Sequence, residues 1–579
     1  MLTPNALANV DPTASPAQEA LSVMAIALAF FDLPRELRDV VYEHYVTIDG
    51  GYILNAESGK LRAATPRAHI FGLQRTCKRA AREMDGLPLS CNPVTFSTIG
   101  NMRESAFRFD FMLDIFLTAM AEDYDRAVER DDTDNMPLSF SFPDSVRESI
   151  ARVFPQFVPA VDVIDPQVWR RLQTWDSPEL HTKCIDVEPS LQREYLSFVM
   201  QQLAEASHPC IEYPGVYHLG LRRGRDSMDE WLIPSEQELD NMATRLRPTQ
   251  GALEEQYRTP VIEFDGIWQR NRFIYRFSAA AAAVQFLNRH PSSRIHLRRI
   301  ILDEDREAVC FPESHGKGLI PFCIENTRLR VERRVNLWTN LFPAVTRVSR
   351  TISAVRYRMR GVDTSDHRAE SYLQMGEEIY EGGWLLEEGI NIESLSVCVA
   401  QWIREAAVLP SNISLLFDGG PAPEQASNIF ERGVVERAIW QNALEESSAR
   451  GLLPDPGPVY SLAWWGWVYF ESAAHQGFVC SGFPRMVQEL IARCGPVRCN
   501  FPVGAFWERD VEQVIWTNRD CTPEGWVRKV SERRDMHLRF QTAPPLPEFL
   551  AILEKDLIPR ADAEDTASNA TGLEGTRRE

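Results

Sequence analysis

At 579 residues the chain is long enough for two or more domains. With 44% hydrophobic and 10% aromatic residues it can bury a core, which excludes global disorder. Its formal net charge of −20 argues against broad, non-specific binding to nucleic acid.

Residues 1–18 carry Pro, Ala, Asn and Ser without periodicity and read as a flexible lead-in. Ala20 to Phe31 is apolar but only about a dozen residues long, too short for a bilayer. Asp11 and Glu19 precede it, with no Lys or Arg, so it lacks the positive start of a signal peptide. No other segment is apolar enough to span, and no membrane partner is expected. The eleven cysteines are scattered and odd in number, which suggests reduced thiols and a cytoplasmic or nuclear home.

The string Phe31-Asp32-Leu33-Pro34-Arg35-Glu36-Leu37-Arg38-Asp39-Val40-Val41-Tyr42 predicts a sharply started amphipathic helix. Pro34 suits the first helical position, and Glu36 lies in the first turn, where the helix dipole favours an acid. Leu33, Leu37, Val40, Val41 and His44 recur at helical spacing and form an apolar face. Gly50-Gly51 marks a turn, flanked by strand-like pieces over Ile48 to Arg62. Phe71 to Met84 reads as a second amphipathic helix, with Leu73, Cys77, Ala80, Ala81 and Met84 on one face. Asn92-Pro93-Val94-Thr95-Phe96 then reads as a turn and a brief strand.

In this order the three motifs, covering 31–96, resemble the F-box-like domain of many fungal proteins. The resemblance implies docking on the Skp-type adaptor of a cullin–RING ubiquitin ligase. Leu33, Pro34, Leu37 and Val41 would fill the adaptor's apolar groove, and a region further along the chain would hold an unknown protein target. It implies a non-catalytic receptor with no cofactor; the alternative is a non-catalytic scaffold or interaction protein that keeps the F-box-like pattern as structure only. Of 62 basic residues only six are lysine, the usual ubiquitin acceptor; GC-rich codon usage is the simpler source of that bias.

Arg103 to Arg130 reads as a helix with Phe107, Phe111 and Phe116 on a broad apolar face, ending in the acidic run Glu129 to Asp134. Residues 140–260 read as helices joined by irregular loops, Glu194 to Ala206 being the clearest. From about 261 helices alternate with strands. Ser278 to Arg289, Leu329 to Leu341, Glu370 to Leu386 and Glu424 to Arg450 are expected to be helical. Arg294 to Leu302, Thr351 to Met359, Ile392 to Val399 and Ile413 to Phe417 are expected to be strands. The expected fold is mixed α/β and helix-rich, with degenerate repeats left open. Its divisions are a small helical F-box-like domain over 19–100, a helical connector over 101–260, an α/β domain over 261–545 as the candidate target-binding region, and a polar, disordered tail over 546–579. Ser278 to Phe342 also resembles a segment found downstream of the motif in fungal F-box-like proteins.

No phosphate loop, nucleophile elbow, zincin motif or dinucleotide fingerprint is present. Cys310, His315 and Cys323, and the pair Cys494 and Cys499, are spaced too loosely for a zinc site. No metal is expected. Asp303, Glu304, Asp305 and Glu307 follow a predicted strand and read as a solvated turn. The weaker alternative is paired carboxylates of an enzyme built over 303–323. One locally basic zone includes Arg294, Arg298, Arg330, Arg333 and Arg334. On a shared face these could hold an acidic or phosphorylated target, with Arg294, Arg298, Arg330 and Arg334 as candidates. Trp464 to Phe470 reads as a core element.

Overall fold

The computed structural model describes residues 30–65, 72–110, 112–113, 143–158, 188–206, 229–244, 275–342, 392–453, 478–522, 525–526 and 528–530. The lead-in, the acidic run at 129–134, the elements expected at 351–359 and 370–386, the aromatic string at 464–470 and the tail lie outside them. The architecture is mixed α/β and helix-rich, around a sheet of strand order β2-β1-β3-β4-β5-β6-β7. These strands are β1 Tyr52–Asn55, β2 Lys60–Ala63, β3 Val94–Ser97, β4 Arg299–Glu304, β5 Arg330–Asn336, β6 Ile413–Asp418 and β7 Val497–Cys499. The chain divides into two compact units, Met1–Thr95 with His290–Ile300, and Phe96–Arg289 with Ile301–Glu579.

The first unit is built on helix α1, Arg35–Val46. Pro34 stands one position earlier than expected: it is the N-cap, and its carbonyl accepts the Leu37 and Arg38 amides at 3.1 and 3.2 Å. The β1–β2 hairpin is antiparallel, from Tyr52↔Ala63 to Asn55↔Lys60, and β1 pairs parallel with β3. Both hairpin strands follow Gly51, so the Gly50-Gly51 pair leads into the hairpin and does not separate its strands. Gly51 has φ +69°, and a Cβ there would stand 2.3 Å from the Pro93 carbonyl oxygen, so only glycine fits. The second expected helix is broken. Leu73–Arg75 is a 3-10 turn, Cys77 is extended, and helix α2 runs only over Lys78–Glu83, with the Cys77 sulfur accepting the Ala80 amide. Helix α3, Leu87–Cys91, follows. Tyr42, Val46 and Met84 form the small core, with Phe30, Leu73, Leu87 and Cys91 packed on it.

In the second unit the strands alternate strictly. Val331, Arg333 and Val335 of β5, and Ile413, Leu415 and Phe417 of β6, are buried. Glu332, Arg334, Asn336, Ser414, Leu416 and Asp418 on the other face are half-buried. β5 to β6 and β6 to β7 are parallel steps in one direction across the sheet. Right-handed crossovers therefore put the intervening helices on one face. The core shows it: Val335, Leu415, Phe417 and Val497 pack with residues of helices α8 (Ile392–Ala407), α9 (Pro423–Phe430), α10 (Glu436–Ala449), α11 (Phe483–Ile491) and α12 (Glu508–Asn518). Earlier in the chain are α4 (Asp144–Val153), α5 (Pro189–Glu205), α6 (Ala279–Arg289) and α7 (Ile320–Glu325).

Three expectations are corrected here. Residues 330–336 are a strand, not part of a helix, and a π-helical turn follows at Leu337–Leu341. The period of two was hidden because the middle residue of the buried row is the charged Arg333. Ile392–Ala407 is a helix, not a strand. It lies deep enough that six successive residues, Leu395 to Ala400, are all buried, which removes the polar stripe that would mark helical period. The strand expected from Arg294 begins only at Arg299, after a helical turn at Pro291–Arg294, and it continues through Glu304.

Candidate functional site

In the first unit α1 is held by one face and presents the other. Arg38, Tyr42 and Val46 are buried. Leu37, Val40 and Val41 are 52%, 56% and 42% exposed, with Tyr45 and His44 exposed beside them. Pro34 is exposed and Leu33 half-buried. Isolated surface apolar side chains are ordinary, but four at i, i+3, i+4 and i+8 form a stripe.

The buried face is pinned by polar contacts. The Arg38 guanidinium donates to both Glu83 oxygens, at 3.0 and 2.9 Å, and to the carbonyls of Phe31 and Leu33. The Tyr42 hydroxyl and the Arg79 guanidinium also donate to Glu83, at 2.9 and 3.0 Å. Arg38, then Arg79 and Tyr42, hold the Glu83 carboxyl down at about 2. Asn92 closes the other end of the helix. Its amide donates to the Val46 and Pro88 carbonyls, both at 2.8 Å, and its oxygen accepts the Ile48 amide at 2.7 Å. Sequence reading missed the Arg38–Glu83 pairing, because Arg38 sits among polar residues of an amphipathic pattern and its partner lies 45 positions away.

An acid with a lower pKa folded than unfolded stabilises the fold above its unfolded pKa, near about 4.3. That contribution is lost as pH falls through about 2. Thermal midpoints followed from about pH 6 to about pH 2.5 should therefore fall less steeply for Glu83→Gln than for the wild type. Parallel curves would show that Glu83 carries no such linkage.

In the second unit Glu304 is not in a solvated turn. It is fully buried at the end of β4 and accepts the Ala279 and Ala280 amides at 2.9 and 3.3 Å, capping α6. It also accepts the Arg333 guanidinium at 2.8 Å. Arg333, 2% exposed, donates in addition to the Glu313 and Pro312 carbonyls at 3.0 and 2.7 Å and lies over the Trp402 ring. Ser278 and His315 are 2.6 Å apart, and His315 Nε2 stands 2.6 Å from the Cys310 carbonyl. A carbonyl only accepts, so Nε2 carries the proton and Nδ1 accepts from the Ser278 hydroxyl. Burial lowers His315 to about 3 and keeps it neutral. The pair resembles a nucleophile and its base, but Ser278 is fully buried and also caps α6 by accepting the Ala281 amide at 3.0 Å. In this arrangement the pair fastens a helix.

Asp303 faces the half-buried side of the sheet, pushed up to about 6 by burial, with Asp305 adding and Arg334 opposing. Asp305 is engaged by the Thr98 amide and hydroxyl at 3.1 and 2.8 Å. Two of the four candidate arginines belong to the first unit and two to the second. Arg294 and Arg298 are half-buried in the first unit, and Arg298 is spent on the Ile295 and Leu297 carbonyls. Arg330 and Arg334 share the half-buried face of β5, and Arg334 is paired with Glu332 at 2.6 Å. In register beside Arg334 come Leu416 and Arg498. This face therefore mixes signs: acids at Asp303, Glu332 and Asp418 stand among Arg330, Arg334 and Arg498.

Among the described residues no three His, Cys, Asp or Glu side chains are placed to hold a metal ion, and no helix is long and apolar enough to cross a membrane. No family model, no curated protein and no solved structure matches the chain.

Proposed function

We propose that the chain is an F-box-like receptor that docks on a Skp-type adaptor of a cullin–RING ubiquitin ligase. Leu33, Pro34, Leu37 and Val41 enter the adaptor's groove, and the α/β region holds a protein target. One observation carries this reading. Leu37, Val40 and Val41 stay exposed on a helix whose opposite face is fixed by a buried Arg38. The helix turns Tyr42 and Val46 into the small core beside the Arg38–Glu83 network and still leaves a second apolar row, Leu37, Val40 and Val41, outward. Such a stripe suits helix-in-groove recognition. On the target side, the half-buried sheet face carrying Arg330 and Arg334 offers paired charges of both signs, which suits selection by charge pattern more than by bulk attraction.

The test is purification of the full chain with a recombinant Skp-type adaptor at micromolar concentration. The expected result is a stable complex that Leu37→Asp with Val41→Asp abolishes while the melting curve is unchanged. Two interface centres at about 2 kcal/mol each weaken binding more than about a hundredfold. A folded wild-type chain that captures no adaptor removes the mechanism.

A further inference from the structure

Residues 20–29 carry no charge, and Ser22 is their only polar side chain. Such a stretch is too short to cross a bilayer and too apolar to stand alone in water, so it calls for an apolar surface. The described residues begin where it ends, at Phe30, and the first of them show the direction of arrival. Residues 30–32 are helical. Phe30, before Pro34 in the chain, has its ring 5.6 Å from that of Tyr42, well inside α1. The chain therefore doubles back along α1 at the Leu33–Pro34 corner. That corner is fixed: the Arg38 guanidinium holds the Phe31 and Leu33 carbonyls, and the Arg79 guanidinium lies 5.0 Å over the Phe31 ring. Segments joined by so short a corner are neighbours in space.

The first unit offers such a neighbour one apolar row. Among its described residues the exposed large apolar side chains are Leu37, Val40, Val41 and Tyr45, all on α1, and Ile295. The core beneath is already closed by Phe30, Leu73, Leu87 and Cys91. At 1.5 Å per residue the row from Leu37 to Tyr45 is about 12 Å long, and ten residues wound as a helix would span about 15 Å, enough to cover it.

We propose that residues 20–29 fold back over the Leu37, Val40, Val41 and Tyr45 stripe and cover it in the free chain. Tethered by so short a corner, they act at an effective concentration of about a millimolar, against an adaptor at micromolar concentration. An adaptor must displace them, which makes docking conditional on their release. That consequence rests on the adaptor reading; the cover itself does not.

Thiol labelling of the full chain, with no adaptor present, tests the cover. Val40→Cys places the probe in the stripe, and Glu43→Cys on an exposed polar position of the same helix. Maleimide modification is followed at each position by peptide mass spectrometry and divided by the rate in the urea-unfolded chain. It should be about tenfold slower at 40 than at 43. Combining Leu21→Ser, Met24→Ser, Ile26→Ser and Leu28→Ser should raise the rate at 40 to that at 43 and leave 43 unchanged. The milder pair Leu21→Ser with Met24→Ser should move position 40 in the same direction, which keeps the test decisive if the fourfold variant does not fold. Equal rates at 40 and 43 in the native sequence overturn the proposal. So does slow labelling at 40 that the serine variants keep, or that fades on dilution, the mark of a second copy of the chain. A covered stripe in a chain that captures no adaptor upholds the cover and removes only the adaptor reading; an open stripe in a chain that captures it does the reverse.

Discussion

Arg333→Met should cost about 3–5 kcal/mol of stability, the largest single effect we expect in the second unit. The substitution leaves the fully buried Glu304 carboxylate with two backbone amides and no countercharge. It also strips a donor from the Pro312 and Glu313 carbonyls. Removing both charges with Arg333→Met and Glu304→Met should recover part of the loss, since an apolar pair can replace a buried ion pair. Recovery stays incomplete because the Ala279 and Ala280 amides then lose their acceptor. Urea unfolding of the full-length variants reads this directly. A single-variant loss under about 1 kcal/mol would show that the pair is not the fastening described.

Asn92→Ala should cost about 3 kcal/mol, the largest effect in the first unit. Asn92 is 1% exposed and satisfies three backbone groups at once: the Val46 and Pro88 carbonyls and the Ile48 amide. Alanine leaves all three buried without a partner. Asn92→Asp should be no better, because an ionised carboxylate accepts from Ile48 but cannot donate to either carbonyl. If aspartate proves stabilising relative to alanine at neutral pH, the hydrogen-bond account of this corner is wrong. The same variant should weaken adaptor capture only through loss of fold, because Asn92 is not on the exposed stripe.

The features legible in the sequence were those carried by local chemistry. Leu37, Val40 and Val41 announce an apolar helical face by spacing alone. The alanine-rich run from Ser278 to Arg289 announces a helix, and Ile413 to Phe417 a strand. The errors also have physical causes. In β5 a charged residue occupies the buried row, so alternation disappears. In α8 burial on every side erases the polar stripe, so an interior helix imitates a strand. Cys77 breaks a continuous helical pattern by turning extended and capping the next helix with its sulfur, which composition does not encode.

What the amino-acid string determined by itself was a helix starting at a proline, with an apolar stripe, an acidic chain, and alternating helix and strand later on. Those follow from interactions a few residues apart. What only the tertiary structure decided was which face of that helix is turned outward, and which charges are interior. Arg38 finds Glu83, Arg333 finds Glu304, and Asn92 finds Val46 across tens of positions. A charged side chain reads as surface until a distant partner offsets its desolvation, and that partner is chosen by the fold.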